Sequence, residues 1–249
     1  MEWYNDIIRA LYASGYTNLF YQGFNIVNIA CLLLFSYFYA PKLGMKRIDG
    51  LLIPLIVYPI GYLFIYFLGW AATGFTQWGS NNIVKGFSFF PLFCLMAARI
   101  LHREKAQVLD LAALNASLLQ GVAHIACSIA GCCYGYPASH GLWNPLFARY
   151  LFPIQLLESA VSLCIFAFLL VYTKKKKYRS DGILYPLFLV LFGGTRFFLE
   201  FLRNNDKLFL GISELALWAL LMVVVGSVWL YKRKEKKPAT SPTNQKRRK

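Results

Sequence analysis

Seven apolar stretches of roughly twenty residues, each ended by charge, proline or glycine, constrain this chain more than any other feature of its sequence. They run over about 18–40, 50–70, 84–101, 107–131, 153–173, 181–203 and 212–231. Each is long enough to cross a hydrocarbon layer about 30 Å thick. No water is available there, so every backbone N–H and C=O must be satisfied within its own segment, which predicts helices. A transmembrane barrel requires short alternating segments, and none are present. Composition agrees, with 58% hydrophobic and only 15% charged residues, against about a quarter charged in soluble domains. The expected fold is an all-α, polytopic membrane bundle of about seven transmembrane helices. It forms a single domain over 1–231, followed by a basic, disordered cytoplasmic tail over 232–249.

The formal net charge of +15 raises nucleic acid as a partner, but the placement of the charge argues against it. Lys42, Lys46 and Arg47 follow the first span, His102, Arg103 and Lys105 the third, Lys174 to Lys177 the fifth, and Lys232 to Lys234 the seventh. The other loops are poor in Lys and Arg. This alternation is the positive-inside pattern, which predicts an outward N-terminus, a cytoplasmic C-terminus and affinity for anionic headgroups. The N-terminus lacks a basic segment and a cleavage site, so no removable signal peptide is expected. Pro54 and Pro59 are expected to kink the second span.

Charges inside a bilayer are costly, about 2.5–3.5 kcal/mol at a helix centre on translocon scales, so those present carry information. Arg196, Glu200 and Arg203 are spaced i, i+4, i+7 and share one helix face. Pairing Glu200 with one arginine leaves one positive charge, a candidate clamp for a phosphate through bidentate guanidinium hydrogen bonds. The competing reading for Arg203 is snorkelling to the outer headgroups. In the fourth span His124, Cys127, Ser128 and Gly131 share a face, where His124 is either a packing residue or a site residue. Gln155 and Glu158 are i, i+3 at the start of the fifth span, and Glu158 either joins the site or complements the helix dipole. Asp110 reads as a helix-start carboxylate. Cys31, Cys94, Cys127 and Cys164 read as small buried residues. Cys132 and Cys133 lie at a membrane surface and, being adjacent, lack the two-residue spacer of metal knuckles, so no metal and no cofactor are expected.

These residues carry a resemblance. The run Arg196-Phe197-Phe198-Leu199-Glu200-Phe201-Leu202-Arg203 is similar to the R-F-x-x-E-F-x-R motif of the prolipoprotein diacylglyceryl transferase family. Pro153-Ile154-Gln155-Leu156-Leu157-Glu158 resembles that family's H-P-T-Q-L-Y-E segment, and Ala123 to Gly135 falls where the family has G-R-I-G-N-F-x-x-G-x-x-x-G. The resemblance implies a seven-span enzyme of the bacterial cytoplasmic membrane. It would transfer diacylglycerol from phosphatidylglycerol, or another anionic phospholipid, to the cysteine thiol of an exported prolipoprotein. It implies Arg196, His124 and Glu200 as catalytic groups, and Arg203, Gly131, Gly135, Tyr134, Gln155, Glu158 and Tyr21 as substrate-binding ones. The sequence also departs from the family pattern. His124 stands for the signature arginine, Cys127 for its asparagine, Phe90 for the third-span histidine and Phe152 for the histidine before Pro153. Two alternatives therefore stay open: a same-fold enzyme for another acceptor, using Cys132 or Cys133 as nucleophile, and a non-catalytic lipid-binding or lipid-moving protein.

Overall fold

The computed structural model describes residues 1–76, 83–175, 178, 180–208 and 211–235. The Gly-, Asn- and Trp-containing loop over 77–82, Lys176, Lys177 and the basic tail from 236 onward lie outside the described residues. The chain runs through α1 (Glu2–Ala13), α2 (Thr17–Tyr39, extended by a 3-10 turn to Leu43), α3 (Arg47–Ala72), α4 (Ile83–Ile100) and α5 (Lys105–Ala130). After a hairpin of β1 (Pro137–Asn144) and β2 (Arg149–Leu151) come α6 (Ile154–Thr173), α7 (Leu184–Leu199, with a 3-10 turn to Leu202) and α8 (Glu214–Glu235).

Six of these helices (α2, α3, α5, α6, α7 and α8) are long and apolar enough to cross a membrane. The remaining expected span, α4, is an 18-residue helix. At 1.5 Å per residue it is about 27 Å long. Large apolar side chains such as Leu19, Ile26, Phe38, Leu63, Val171 and Phe198 are more than half exposed around the bundle, as lipid-facing positions require. The fold is an all-α polytopic membrane bundle. Pro54 and Pro59 both lie inside α3.

The central helix is α5, and its buried face is unusually polar. Asn115 accepts from Ser36 at 2.9 Å, the Leu119 carbonyl accepts from Asn28 at 3.2 Å, and the Gly121 carbonyl accepts from Ser159 at 2.6 Å. Each bond ties α5 to a neighbour, although Asn28 Oδ1 and Asn115 Nδ2 stay buried without a partner among the described residues. Small residues bring the helices close. A Cβ on Gly50 would lie 2.2 Å from the Ser36 carbonyl oxygen, where α3 crosses α2.

Asp110 differs from its reading as a helix-start carboxylate. It is fully buried and accepts from the Tyr178 hydroxyl (2.6 Å) and from the backbone N–H groups of Gly182 (3.0 Å) and Leu184 (2.8 Å). It therefore fastens α5 to the start of α7. Burial, with the Asp110 carboxylate adding, holds the Tyr178 hydroxyl above the usual phenol range, so it remains a donor. Cys31 and Cys164, read as buried, are exposed on the outside of the bundle, while Cys94 is buried.

Two elements at the other end of α5 are absent from the span reading. Helix α1 lies against the hairpin: Asn5 donates to the Gly141 carbonyl (3.1 Å) and accepts from the Trp143 N–H (2.8 Å). Tyr4 and Ser128 hydroxyls meet at 2.6 Å, so α1 also reaches the last turn of α5. Gly131, in the left-handed region at φ 77°, ends that helix, and its carbonyl accepts from Asn144 at 2.7 Å. Only glycine enters this region without strain. The end of α5, the start of α6 and the end of α7 thereby converge beneath α1 and the hairpin, opposite the Lys/Arg-bearing loops.

Candidate functional site

At that convergence Arg196 projects from the last turn of α7 and Glu200 from the 3-10 turn after it, while Arg203, expected on the same helix face, lies just past the helix in extended backbone at φ −90° and ψ 143°. Glu158 meets them from the first turns of α6. All four are at most 4% exposed. Arg196 pairs through Nη2 with Glu200 Oε2 at 2.9 Å and through Nη1 with Glu158 Oε1. Arg203 donates through Nε to Glu158 Oε1 at 3.0 Å and through Nη2 to Glu158 Oε2, a bidentate fork. Glu200 also accepts from Asn205 (2.5 Å) and Ser213 (2.9 Å) through Oε1. Arg203 does not snorkel, and Glu158 is not a dipole complement at the helix start. Both are drawn inward because an ion leaving water must find its counterion.

This geometry corrects the expected charge balance. Glu158 supplies a second carboxylate, so two glutamates face two guanidinium groups and their formal charges cancel. Arg196 nonetheless keeps a buried Nε without a hydrogen-bond partner among the described residues.

His124 joins the same carboxylate, its Nε2 lying 3.1 Å from Glu158 Oε2 and 2.5 Å from the Gln120 amide. Its Nδ1 is buried and has no partner among the described residues. Gln155 is buried and donates to the Cys132 carbonyl at 2.8 Å, which holds the turn after α5 against the start of α6. Tyr134 packs edge-on against Phe147, ring centroids 4.7 Å apart, and Tyr21 lies on α2, its carbonyl accepting from Asn25 at 3.0 Å. Gly131 and Gly135, which the resemblance implies as substrate-binding, leave no room for a ligand at their Cα atoms. Their space is taken by the chain itself: a Cβ would meet Pro145 at 2.9 Å in the first case and the Phe152 carbonyl at 2.8 Å in the second. Gly135 forms a β-bridge with Arg203, so it positions that arginine.

Beside the cluster, Gln120, Glu158, Ser162 and Arg196 line a narrow cleft of about 10 Å³ between α5, α6 and α7. Val161 and Thr195 form its rim and also line an apolar groove of about 320 Å³ on the outer face of α6 and α7, with Cys164, Phe168 and Leu191. Buried arginines, counterions and an adjoining lipid-facing groove suit an amphiphile with an anionic head and apolar tails. Glu158 and Gln120 in this arrangement are invisible to local spacing, since Glu158 meets Arg203 across 45 positions. Gln120 is legible only as an unexplained polar residue in an apolar span.

The profile of the family described as prolipoprotein diacylglyceryl transferase matches residues 48–232. The chain belongs to this family. The match includes Glu158, Arg196, Glu200, Arg203 and His124, and leaves α1 and Tyr21 outside. Curated relatives named phosphatidylglycerol–prolipoprotein diacylglyceryl transferase agree. One from Dehalococcoides mccartyi is 30% identical over 155 residues, covering 59% of each chain. One from Clostridium perfringens is 31% identical over 139 residues, covering 52% of this chain and 54% of its own. One from Lactococcus lactis subsp. lactis is 26% identical over 220 residues, covering 79% and 83%. The chain thus spans somewhat over half the length of the first two. A histidine and two thiols, His124, Cys127 and Cys133, stand beside the arginine cluster.

Proposed function

We propose that this chain is a phosphatidylglycerol-dependent transferase that moves a diacylglyceryl group onto the cysteine thiol of an exported prolipoprotein. The observation that carries the proposal is Arg196, a buried guanidinium lining a cleft that adjoins an apolar, lipid-facing groove. The acyl chains would occupy the groove between α6 and α7 while the phosphate enters the cleft. With the Lys/Arg-bearing loops in the cytoplasm, this site faces the outer leaflet of a bacterial cytoplasmic membrane.

Because Glu158 already holds both arginines, the phosphate must take its place on Arg196, exchanging one bidentate acceptor for another. In the transfer, the acceptor sulfur attacks the glyceryl carbon bonded to the phosphate oxygen. A C–S bond forms, the C–O bond breaks and glycerol phosphate leaves with the bonding pair. Arg196 and Arg203 stabilise that growing charge, and Glu200 fixes the orientation of Arg196. His124 Nδ1, free of a partner, accepts the thiol proton and passes it to the leaving phosphate.

The test is Arg196→Ala and Arg196→Lys in reconstituted vesicles containing phosphatidylglycerol, with lipidation of a prolipoprotein followed by gel shift. Both should lose activity, Arg196→Ala by about 10²–10³-fold, because lysine cannot reproduce the planar fork. Wild-type rates in Arg196→Ala would remove the proposal.

A further inference from the structure

Beside the arginine cluster lie two thiols that the proposed transfer does not use, next to the histidine that it does. One ring nitrogen of His124 and the thiols of Cys127 and Cys133 lie within 4.8 Å of one another. The adjacent pair Cys132-Cys133 lacks the spacer of a metal knuckle. The fold assembles a different set: His124 and Cys127 are i, i+3 on the last turns of α5, and Cys133 returns to them after a tight reversal. That reversal uses Gly131 at φ 77° and Cys133 itself at φ 56°, a left-handed backbone unusual for a residue with a Cβ.

We propose that His124, Cys127 and Cys133 form a binding site for a thiophilic divalent cation of the zinc class. The orientation of His124 is the strongest argument. A metal-bound histidine generally donates its other ring N–H to a carboxylate, which fixes the tautomer and aims the free lone pair at the ion. Here Nε2 lies 3.1 Å from Glu158 Oε2, while Nδ1 is buried without a partner. Tetrahedral zinc, with bonds of about 2.3 Å to sulfur and 2.0–2.1 Å to nitrogen, sets its ligand atoms about 3.5–3.8 Å apart. Closing from 4.8 Å requires thiol shifts on the order of 1 Å, within reach of χ1 rotation. On binding, two thiol protons leave and two thiolates neutralise the ion. The neighbouring guanidinium groups are already balanced by Glu158 and Glu200, so the loaded site adds no net charge to the interior. Three protein ligands leave a fourth position for water or an incoming group. An ion on Nδ1 withdraws that nitrogen from proton transfer, so binding is measured directly and not through turnover.

The full chain, reduced and stripped of metal in detergent, is titrated with Co²⁺ and then Zn²⁺. About one equivalent of Co²⁺ should produce a thiolate-to-cobalt charge-transfer band that Zn²⁺ abolishes. Cys127→Ser and Cys133→Ser should each lose the band, Cys31→Ser and Cys164→Ser should retain it, and Glu158→Gln should weaken binding about 10- to 100-fold. Should the site variants fail to fold, Zn²⁺ should still shield Cys127 and Cys133 of the wild-type chain from alkylation while leaving Cys31 and Cys164 reactive. A wild-type chain that takes up no Co²⁺, a band that survives loss of both thiols, or recovery of Cys127 and Cys133 as a disulfide without metal uptake overturns the proposal.

Discussion

Glu158→Gln isolates the energetic role of the carboxylate at the centre of the arginine cluster. Glutamine keeps the shape and one acceptor oxygen but removes the charge. Arg203 makes both of its side-chain ion contacts with Glu158, whereas Arg196 retains Glu200 at 2.9 Å. The substitution therefore strands one buried guanidinium and only weakens the pairing of the other. Removing one partner of a buried pair costs about 3–5 kcal/mol, most of it the penalty of an uncompensated ion. Arg203→Met leaves two carboxylates on one guanidinium, but each keeps Arg196 as a direct partner, so it should cost less. The double variant removes the stranded charge, so its loss should fall short of the sum of the single losses by roughly 2 kcal/mol. Equilibrium unfolding of the four chains in mixed SDS and neutral-detergent micelles measures each loss. Additive single effects would falsify the view that Glu158 is the sole counterion of Arg203.

Two further substitutions probe the frame. Asp110→Asn should destabilise the chain by roughly 1.5–3 kcal/mol, read in the same unfolding assay, because three donors then share one carbonyl in place of a charged carboxylate. Gly50→Ala places a Cβ 2.2 Å from the Ser36 carbonyl oxygen, so α2 and α3 must separate, and the yield of folded protein from membranes should fall by several-fold, measured by size-exclusion chromatography.

The spans and the shared face of Arg196 and Glu200 were legible because length, hydropathy and helical period are local properties. What surrounds that face was not. Glu158, His124 and Gln120 converge from two other helices, and no spacing within one segment encodes the meeting. Burial was hard to read for a different reason. In a bilayer the outside of a helix is as apolar as its core-facing side, so hydropathy does not say which way Cys31 and Cys164 point. Asp110 misled because its three donors come from 68 to 74 positions later in the chain. Helix α1 went unseen because an amphipathic surface helix lacks an apolar run, and the hairpin because its longer strand, β1, has no regular apolar–polar alternation.

The Asp110 staple has a mechanical consequence. It bonds α5 to the first turn of α7, whereas the far ends of these helices meet at ion pairs whose partners can be exchanged. From Leu184 to Arg196 the rise along α7 is about 18 Å. A tilt of about 5° about the stapled end would swing Arg196 by roughly 1.6 Å, about the radius of a water molecule, while the three bonds to Asp110 stay in place. The bundle is thus pinned by a hydrogen-bonded carboxylate at one end and by ion pairs open to exchange at the other.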